Sequence, residues 1–242
     1  MVPTIGQPVS KTAAQDLLNG LADTARQIRS VQGLAVTQIS SPEQSGSVRQ
    51  VILAERPNHF RLEVMTPFGT PLLILAANGN DLAVLSQSRN QFYLGSASPQ
   101  NLARFTRVPL KPDDLVNLLL YRVPLIAEQV VSAYWLPNQH WLIELKNYDR
   151  RQELVFNSLR QLVETRYFDR DTMFLKVVYS RHGELVENYP AKLEIALPEF
   201  DIKASIDFKD QAINRTFLPE IFKLIPPAGT AIINLDETSL SD

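Results

Sequence analysis

The chain has 242 residues, is 45% hydrophobic and 21% charged, and carries a formal net charge of −2, so it holds material for one large globular domain or two small ones. That charge gives no basis for a nucleic-acid partner, which needs clustered Lys and Arg. Cysteine is absent, which excludes disulfides, thiolate metal sites and a cysteine nucleophile.

No apolar run reaches the roughly 18–20 residues that cross a bilayer as a helix. Met1-Val2-Pro3-Thr4 lacks the basic start and apolar core of an export leader. A cytoplasmic protein reads this way, and so does a mature exported domain; composition does not separate the two.

Residues 1–9, with Pro3, Gly6 and Pro8, predict a loose arm. A helix follows, capped by Ser10 or Thr12, with Leu17, Leu18, Leu21, Ala25 and Ile28 on one stripe. Arg26 and Arg29 close it, where positive charge suits the helix dipole. From Val31 the apolar period becomes two. Strands are predicted over 31–40 and 48–55, joined by the loop Ser41-Pro42-Glu43-Gln44-Ser45-Gly46, and Arg56-Pro57-Asn58 turns into the next one.

In that next strand Phe60, Leu62 and Val64 alternate with Arg61 and Glu63, giving one dry and one wet face. Leu72 to Ala77 is apolar throughout, as in a strand covered on both sides. Thr66-Pro67-Phe68-Gly69-Thr70-Pro71 between them is a hairpin tip built on Pro and Gly. Phe68 is out of place there. Burying a Phe side chain is worth roughly 1.5–3 kcal/mol, so it either folds back on its own protein or meets something apolar outside. Asn78-Gly79-Asn80-Asp81 is a second hairpin signal, with strands over 82–86 and 91–95.

Ser98-Pro99-Gln100-Asn101 starts a helix with Pro in its first turn. Pro109 to Asp114 leads into another, carrying Leu115, Val116, Leu118, Leu119 and Leu120 and ending before Pro124. Strands resume over 130–136, 141–146, 152–157, 161–168, 173–180 and 192–197. Turns are predicted at Pro137-Asn138-Gln139, Ser158-Leu159-Arg160, Asp169-Arg170-Asp171 and Arg181-His182-Gly183-Glu184. From Phe200 to Lys209 apolar and polar residues alternate cleanly, and a tail runs from Phe217 through Pro226-Pro227-Ala228-Gly229. About a dozen strands, an N-terminal helix and two helices inserted mid-sheet define a mainly β (α+β) fold. No linker divides it, so the expected layout is an arm over 1–9, one domain over 10–237 and a frayed tail over 238–242. A meander this long curls or closes, and the inserted helices are its natural cover.

Several stretches resemble a family. Thr66-Pro67-Phe68-Gly69-Thr70 is similar to the protruding Asn-Pro-Leu-Gly-Ser loop of the outer-membrane lipoprotein receptor LolB, with Phe68 in place of the exposed Leu. Arg56-Pro57-Asn58-His59-Phe60 is similar to the Arg-Pro-Asn-x-Phe turn of LolA. Val108-Pro109-Leu110-Lys111-Pro112-Asp113-Asp114-Leu115 through Val123-Pro124 resembles the LolB lid segment. Phe222 to Gly229 resembles the Phe-x-x-x-Pro-Pro-x-Gly ending of LolA. Their order along the chain is the specific part.

The resemblance implies a curled antiparallel incomplete β-barrel with an N-terminal helix and a helical lid. It implies a non-enzymatic periplasmic protein that needs no cofactor and binds acyl chains of lipoproteins or other lipids. A carrier protein would be its delivery partner and a lipid anchor, absent from this cysteine-free sequence, its tether to the outer membrane. The groove residues expected are Phe60, Leu62, Val64, Leu73 and Leu75 under Leu115, Leu118 and Leu119. Phe68 would touch membrane, and Arg56, Arg104 and Arg107 would serve the lid or lipid headgroups. The chain departs from the pattern by extra strand material around 169–191 and by mixing LolA-like with LolB-like features. The alternative is an envelope sensor or assembly subunit that uses the half-barrel to bind another protein.

Other chemistry is weakly supported. His59, His140 and His182 lie far apart next to turns, with no ligand spacing. No Gly-x-Ser-x-Gly elbow or Gly-rich phosphate loop occurs. Asp113 and Asp114 read as helix-start charges rather than a catalytic pair. Arg104, Arg107, Lys111 and Arg122 read either as a solvated helix face or as a lure for anionic headgroups.

Overall fold

The computed structural model describes residues 6–127 and 129–237. The expected tail, 238–242, and the first five residues of the expected arm lie outside the described residues. In chain order the elements are β1 (Gln7–Pro8), α1 (Lys11–Gln27), β2 (Ser30–Ser40), β3 (Ser45–Glu55), β4 (His59–Met65), β5 (Pro71–Asn78), β6 (Asp81–Ser86) and β7 (Gln91–Ser96). Two helices follow, α2 (Pro99–Thr106) and α3 (Pro112–Leu119). Then come β8 (Val130–Trp135), β9 (Trp141–Asn147), β10 (Arg150–Phe156), β11 (Leu162–Asp169), β12 (Thr172–Val186), β13 (Tyr189–Leu197), β14 (Ile202–Phe208), β15 (Ala212–Ile213) and β16 (Ala231–Asn234). The strands belong to a sixteen-stranded sheet that is not closed into a barrel.

The residues divide into two compact units, each made of two chain segments. Unit 1 takes residues up to Gln27 and Arg122–Ser205, and unit 2 takes Ile28–Tyr121 and those from Ile206 on.

In unit 1 the strand order is β1-β8-β9-β10-β11-β12-β13, every pairing antiparallel. Helix α1 lies against β8. The Ser10 hydroxyl accepts from the Ala13 amide at 3.2 Å, which caps it. Its stripe Ala14, Leu17, Leu18, Leu21 and Ala25 is buried. Gln7 and Pro8, expected in a loose arm, pair with Trp135 and Tyr134. The expected turn at Arg181–Glu184 is instead a bulge inside β12: Arg181 and Gly183 take φ 58° and 78°, and the register with β13 shifts between His182 and Val186. Turn-forming residues on one strand of a pair make a bulge when the partner strand continues past them.

In unit 2 the order is β2-β3-β4-β5-β6-β7, again antiparallel, with β16 added parallel to β7 and β15 paired with β2. The Gly79-Asn80 hairpin forms as expected, with Asn78 opposite Asp81. Helix α2 is capped by the Ser98 hydroxyl, which accepts from the Asn101 amide at 3.2 Å, and ends on Arg107 in the left-handed region. The Tyr93 and Phe105 rings meet edge-on at 5.2 Å, holding α2 beside β7. Helix α3 lies against β4 and β3.

Candidate lipid- and membrane-contacting site

The loop between β4 and β5 is closed by its own hydrogen bonds. The Thr66 amide donates to the Thr70 carbonyl at 2.8 Å, and the Gly69 amide donates to the Thr66 carbonyl at 3.0 Å. The Thr66 hydroxyl accepts from the Thr70 amide at 3.1 Å and lies 2.7 Å from the Thr70 hydroxyl. Gly69 takes φ +83°, a conformation that glycine adopts without a Cβ clash. This small, pinned turn leaves Phe68 at its apex 95% exposed.

Alternation along β4 and β5 sorts the expected groove residues onto one face. Leu62 pairs with Leu75, Val64 with Leu73 and Phe60 with Ala77. The other face of β4 is occupied by the C-terminal segment. The Arg61 guanidinium donates to the Ile221 carbonyl at 2.7 Å, and the His59 ring stacks on Phe222 at 5.1 Å. That leaves the face of Phe60 and Leu62 to α3. Phe60, Leu62, Leu75, Leu115, Leu118 and Leu119 are all buried, while Val64 and Leu73 are half-buried. The expected residues thus come together in unit 2, with the helix seated on the sheet. At the start of α3, burial raises the Asp114 carboxyl above its ordinary range; Lys111 opposes the shift and Asp113 adds to it.

The three arginines separate. Arg56 follows β3 at the turn into β4, so it sits at the opposite end of that ladder from Phe68; its amide donates to the Arg29 carbonyl at 3.0 Å. Arg104 and Arg107 lie at the far end of α2. Together with Arg89, Ser86, Ser88, Tyr93, Phe105, Leu72 and Leu73 they line a cleft of about 270 Å³. Arg107 reaches Glu43 at 3.7 Å and the Gln44 side-chain oxygen at 3.4 Å. The sequence reading missed Arg89, because it lies in a turn between two strands and only the pairing of β6 with β7 brings it beside α2.

Unit 1 has its own cleft, about 630 Å³, on the sheet face that carries Leu142, Val155 and Val178, rimmed by His140, Arg166, Arg181 and His182 among others. Burial pushes the His182 imidazole below its ordinary pKa, with a backbone hydrogen bond at Leu162 opposing. His59 belongs to unit 2 and stacks on Phe222. Among the described residues no three metal-ligating side chains converge. Deeper in unit 1, Gln152 is fully buried. Its amide donates at 3.1 Å to both the Pro124 carbonyl and the Thr165 hydroxyl, and it accepts from the Ile126 amide at 3.1 Å. The Tyr167 hydroxyl also donates to the Pro124 carbonyl, at 2.7 Å. These bonds fix the chain just after α3.

No protein-family model and no curated protein matches the sequence. Solved structures do match. A DUF1329 family protein from Desulfovibrio piger superposes with a TM-score of 0.60 at 14% identity, over 90% of this chain and 98% of that one. A LolA superfamily protein from Nitrosomonas europaea gives 0.56 at 16% identity, over 85% and 97%. A structure named for an outer membrane lipoprotein-sorting protein domain, from Vibrio parahaemolyticus, gives 0.57 at 8% identity, over 88% and 97%. The chain has a LolA/LolB-like fold.

Proposed function

We propose that this is a periplasmic protein that holds acyl chains of lipoproteins or other lipids for delivery or insertion at the outer membrane. The observation that carries this reading is an apolar sheet face, formed by Phe60, Leu62, Val64, Leu73 and Leu75, where the eight-residue α3 lies against β4 and residues of α2 flank Leu73. Two magnitudes bear on exchange of that helix for a lipid. Burying Leu115, Val116, Leu118 and Leu119 is worth roughly 1.5–3 kcal/mol each. An acyl chain recovers about 0.8 kcal/mol per CH₂, so a chain of a dozen or more methylenes offsets displacement of α3. That gain is measured from water; a chain already in a bilayer gains little on entering the groove, so loading from a membrane needs α3 to find other apolar cover, and release to a membrane is favourable. The LolA-type fold supports this class of ligand, and Phe68 supplies the point of membrane contact. Arg104 and Arg107 stand at the end of α2 that leads into α3, where a headgroup would emerge.

The test is native mass spectrometry and lipid extraction on protein purified from a bacterial envelope, paired with uptake of a fluorescent fatty-acyl probe from micelles. Acyl-bearing molecules at near one per protein are expected. Empty protein that takes up no probe would overturn the reading. That result would favour the second one, a half-barrel filled by its own side chains that serves as an envelope sensor or assembly subunit. The burial of Phe60, Leu62 and Leu75 by the protein itself supports that alternative.

A further inference from the structure

The strands of unit 2 alternate in direction, so the turns at 41–44, 66–70 and 87–90 all emerge at one end of it. That end bears Phe68, 95% exposed, and Leu72, 41% exposed. Helix α2 starts at the other end, after Ser96, and runs back beside β7 to bring Arg104 and Arg107 to the same place. Arg89 joins them from the turn before β7, and Arg49, exposed, sits directly opposite Met65 at the base of the Phe68 loop.

We infer that the Arg89–Arg104–Arg107 cleft receives the phosphate of an anionic lipid, at the bilayer surface that Phe68 meets in the proposed function. This rests on the lipid-carrier reading and names the membrane it addresses. Leu72 and Leu73 line the cleft, and Phe68 is only four residues before Leu72. At about 3.3 Å per residue tip and cleft are within roughly 13 Å, near enough for one bilayer surface to meet both. The cleft volume, about 270 Å³, is below the roughly 300–1,000 Å³ of pockets that enclose a drug-sized ligand, so it suits a headgroup and not a chain. Guanidinium forks match phosphate oxygens, and the Ser86 and Ser88 hydroxyls line the same cleft. The opposing charge is Glu43, beside Arg107, with Asp236 acting on Arg104 from the start of α2. Arg49, Arg89, Arg104 and Arg107 thus stand near Glu43 at this end, and Lys111, Asp113 and Asp114 follow at the start of α3.

The experiment is co-sedimentation with vesicles of phosphatidylcholine alone and of phosphatidylcholine with phosphatidylglycerol, at two salt concentrations. Wild-type protein is expected to prefer the anionic vesicles by about tenfold or more, and to lose that preference at high salt. The Arg89→Glu/Arg107→Glu variant should lose the preference while still binding phosphatidylcholine, and Phe68→Ser should weaken binding to both. Circular dichroism checks folding. If the double variant is unfolded, Arg89→Ser and Arg49→Ser, both at exposed positions, provide the test instead. Equal binding to the two vesicle types, or a preference untouched by these variants, would overturn the inference. Displacement by millimolar inorganic phosphate at constant ionic strength is expected, because the free ion and the lipid phosphate compete for the same cleft. Anionic preference in a protein that takes up no acyl probe would sink the carrier reading alone, and probe uptake without the preference would sink only the docking surface.

Discussion

At the scale of single residues, exposure and hydrogen bonding separate function from stability. Phe68 touches little of its own protein, so Phe68→Glu should leave the unfolding midpoint within the error of a surface substitution, about 0.5 kcal/mol. The same change should cut acyl transfer to vesicles; a large loss of stability would show that Phe68 packs on the protein instead. Gln152 is the opposite case. Gln152→Ala removes three hydrogen bonds and leaves the buried Thr165 hydroxyl and the half-buried Ile126 amide without this partner. Urea unfolding should show a loss of about 3 kcal/mol or more. Phe68 could be picked out from sequence because a large apolar side chain on a Pro-Gly turn contradicts the turn's exposure. Gln152 could not, because nothing in a strand of alternating residues says which polar side chain faces inward to meet a distant loop.

At the scale of elements, the C-terminal strand is held by a carboxylate. The Asp236 oxygens accept from the Ser96 amide at 2.9 Å, the Ser96 hydroxyl at 2.8 Å and the Asn101 side chain at 2.8 Å, while Leu235 is buried against Gly95. The hydrogen bonds from Ser96, then that from Asn101, and the charge of Arg104 hold Asp236 below the usual carboxylate range. The folded pKa is therefore lower than the unfolded one. The attachment is complete above the ordinary carboxylate pKa of about 3.9 and is lost as pH falls through the depressed folded value. Protection factors at the amides of residues 231–235, taken against the intrinsic rate at each pH, should be high at neutral pH, lower in strong acid, and low at neutral pH in Asp236→Ala. Protection unchanged in that variant would mean the strand is held by β7 alone. This strand escaped the sequence reading because Ala231 to Asn234 is short, carries no alternation and follows a Pro-Pro-Ala-Gly turn.

Packing between elements also explains Gly33. A Cβ there would collide with the Asp210 carbonyl and lie 2.8 Å from the Phe208 ring, where the chain crosses β2 and the Leu34 amide donates to the Asp210 carboxylate at 2.6 Å. Gly33→Ala should lower the unfolding midpoint measurably, by about 1–3 kcal/mol; a neutral result would show that residues 208–210 move aside freely.

At the scale of the whole molecule, each unit is assembled from two separated segments, so neither is a contiguous piece of chain. Unit 1 depends on α1, which lies more than a hundred residues before β8 in sequence and buries five side chains in that unit. A fragment of residues 122–205 alone should expose that surface, bind a hydrophobic dye and fail to unfold cooperatively. A sharp, dye-silent unfolding transition from this fragment would show that unit 1 stands without α1.

The sequence by itself determined the mainly antiparallel β character, the three helices and most hairpins, because these depend on local period and turn chemistry that a linear reading samples directly. It also determined which apolar residues share a face of β4 and β5, since alternation leaves two choices and burial selects one. Only the tertiary structure decided that Arg181–Glu184 is a bulge, that a parallel strand closes onto β7, and that Arg89 meets Arg104 and Arg107 while Arg56 stays at the other end. Those outcomes depend on pairing between residues far apart in the chain, where the free energy lies in register and side-chain packing rather than in any local preference.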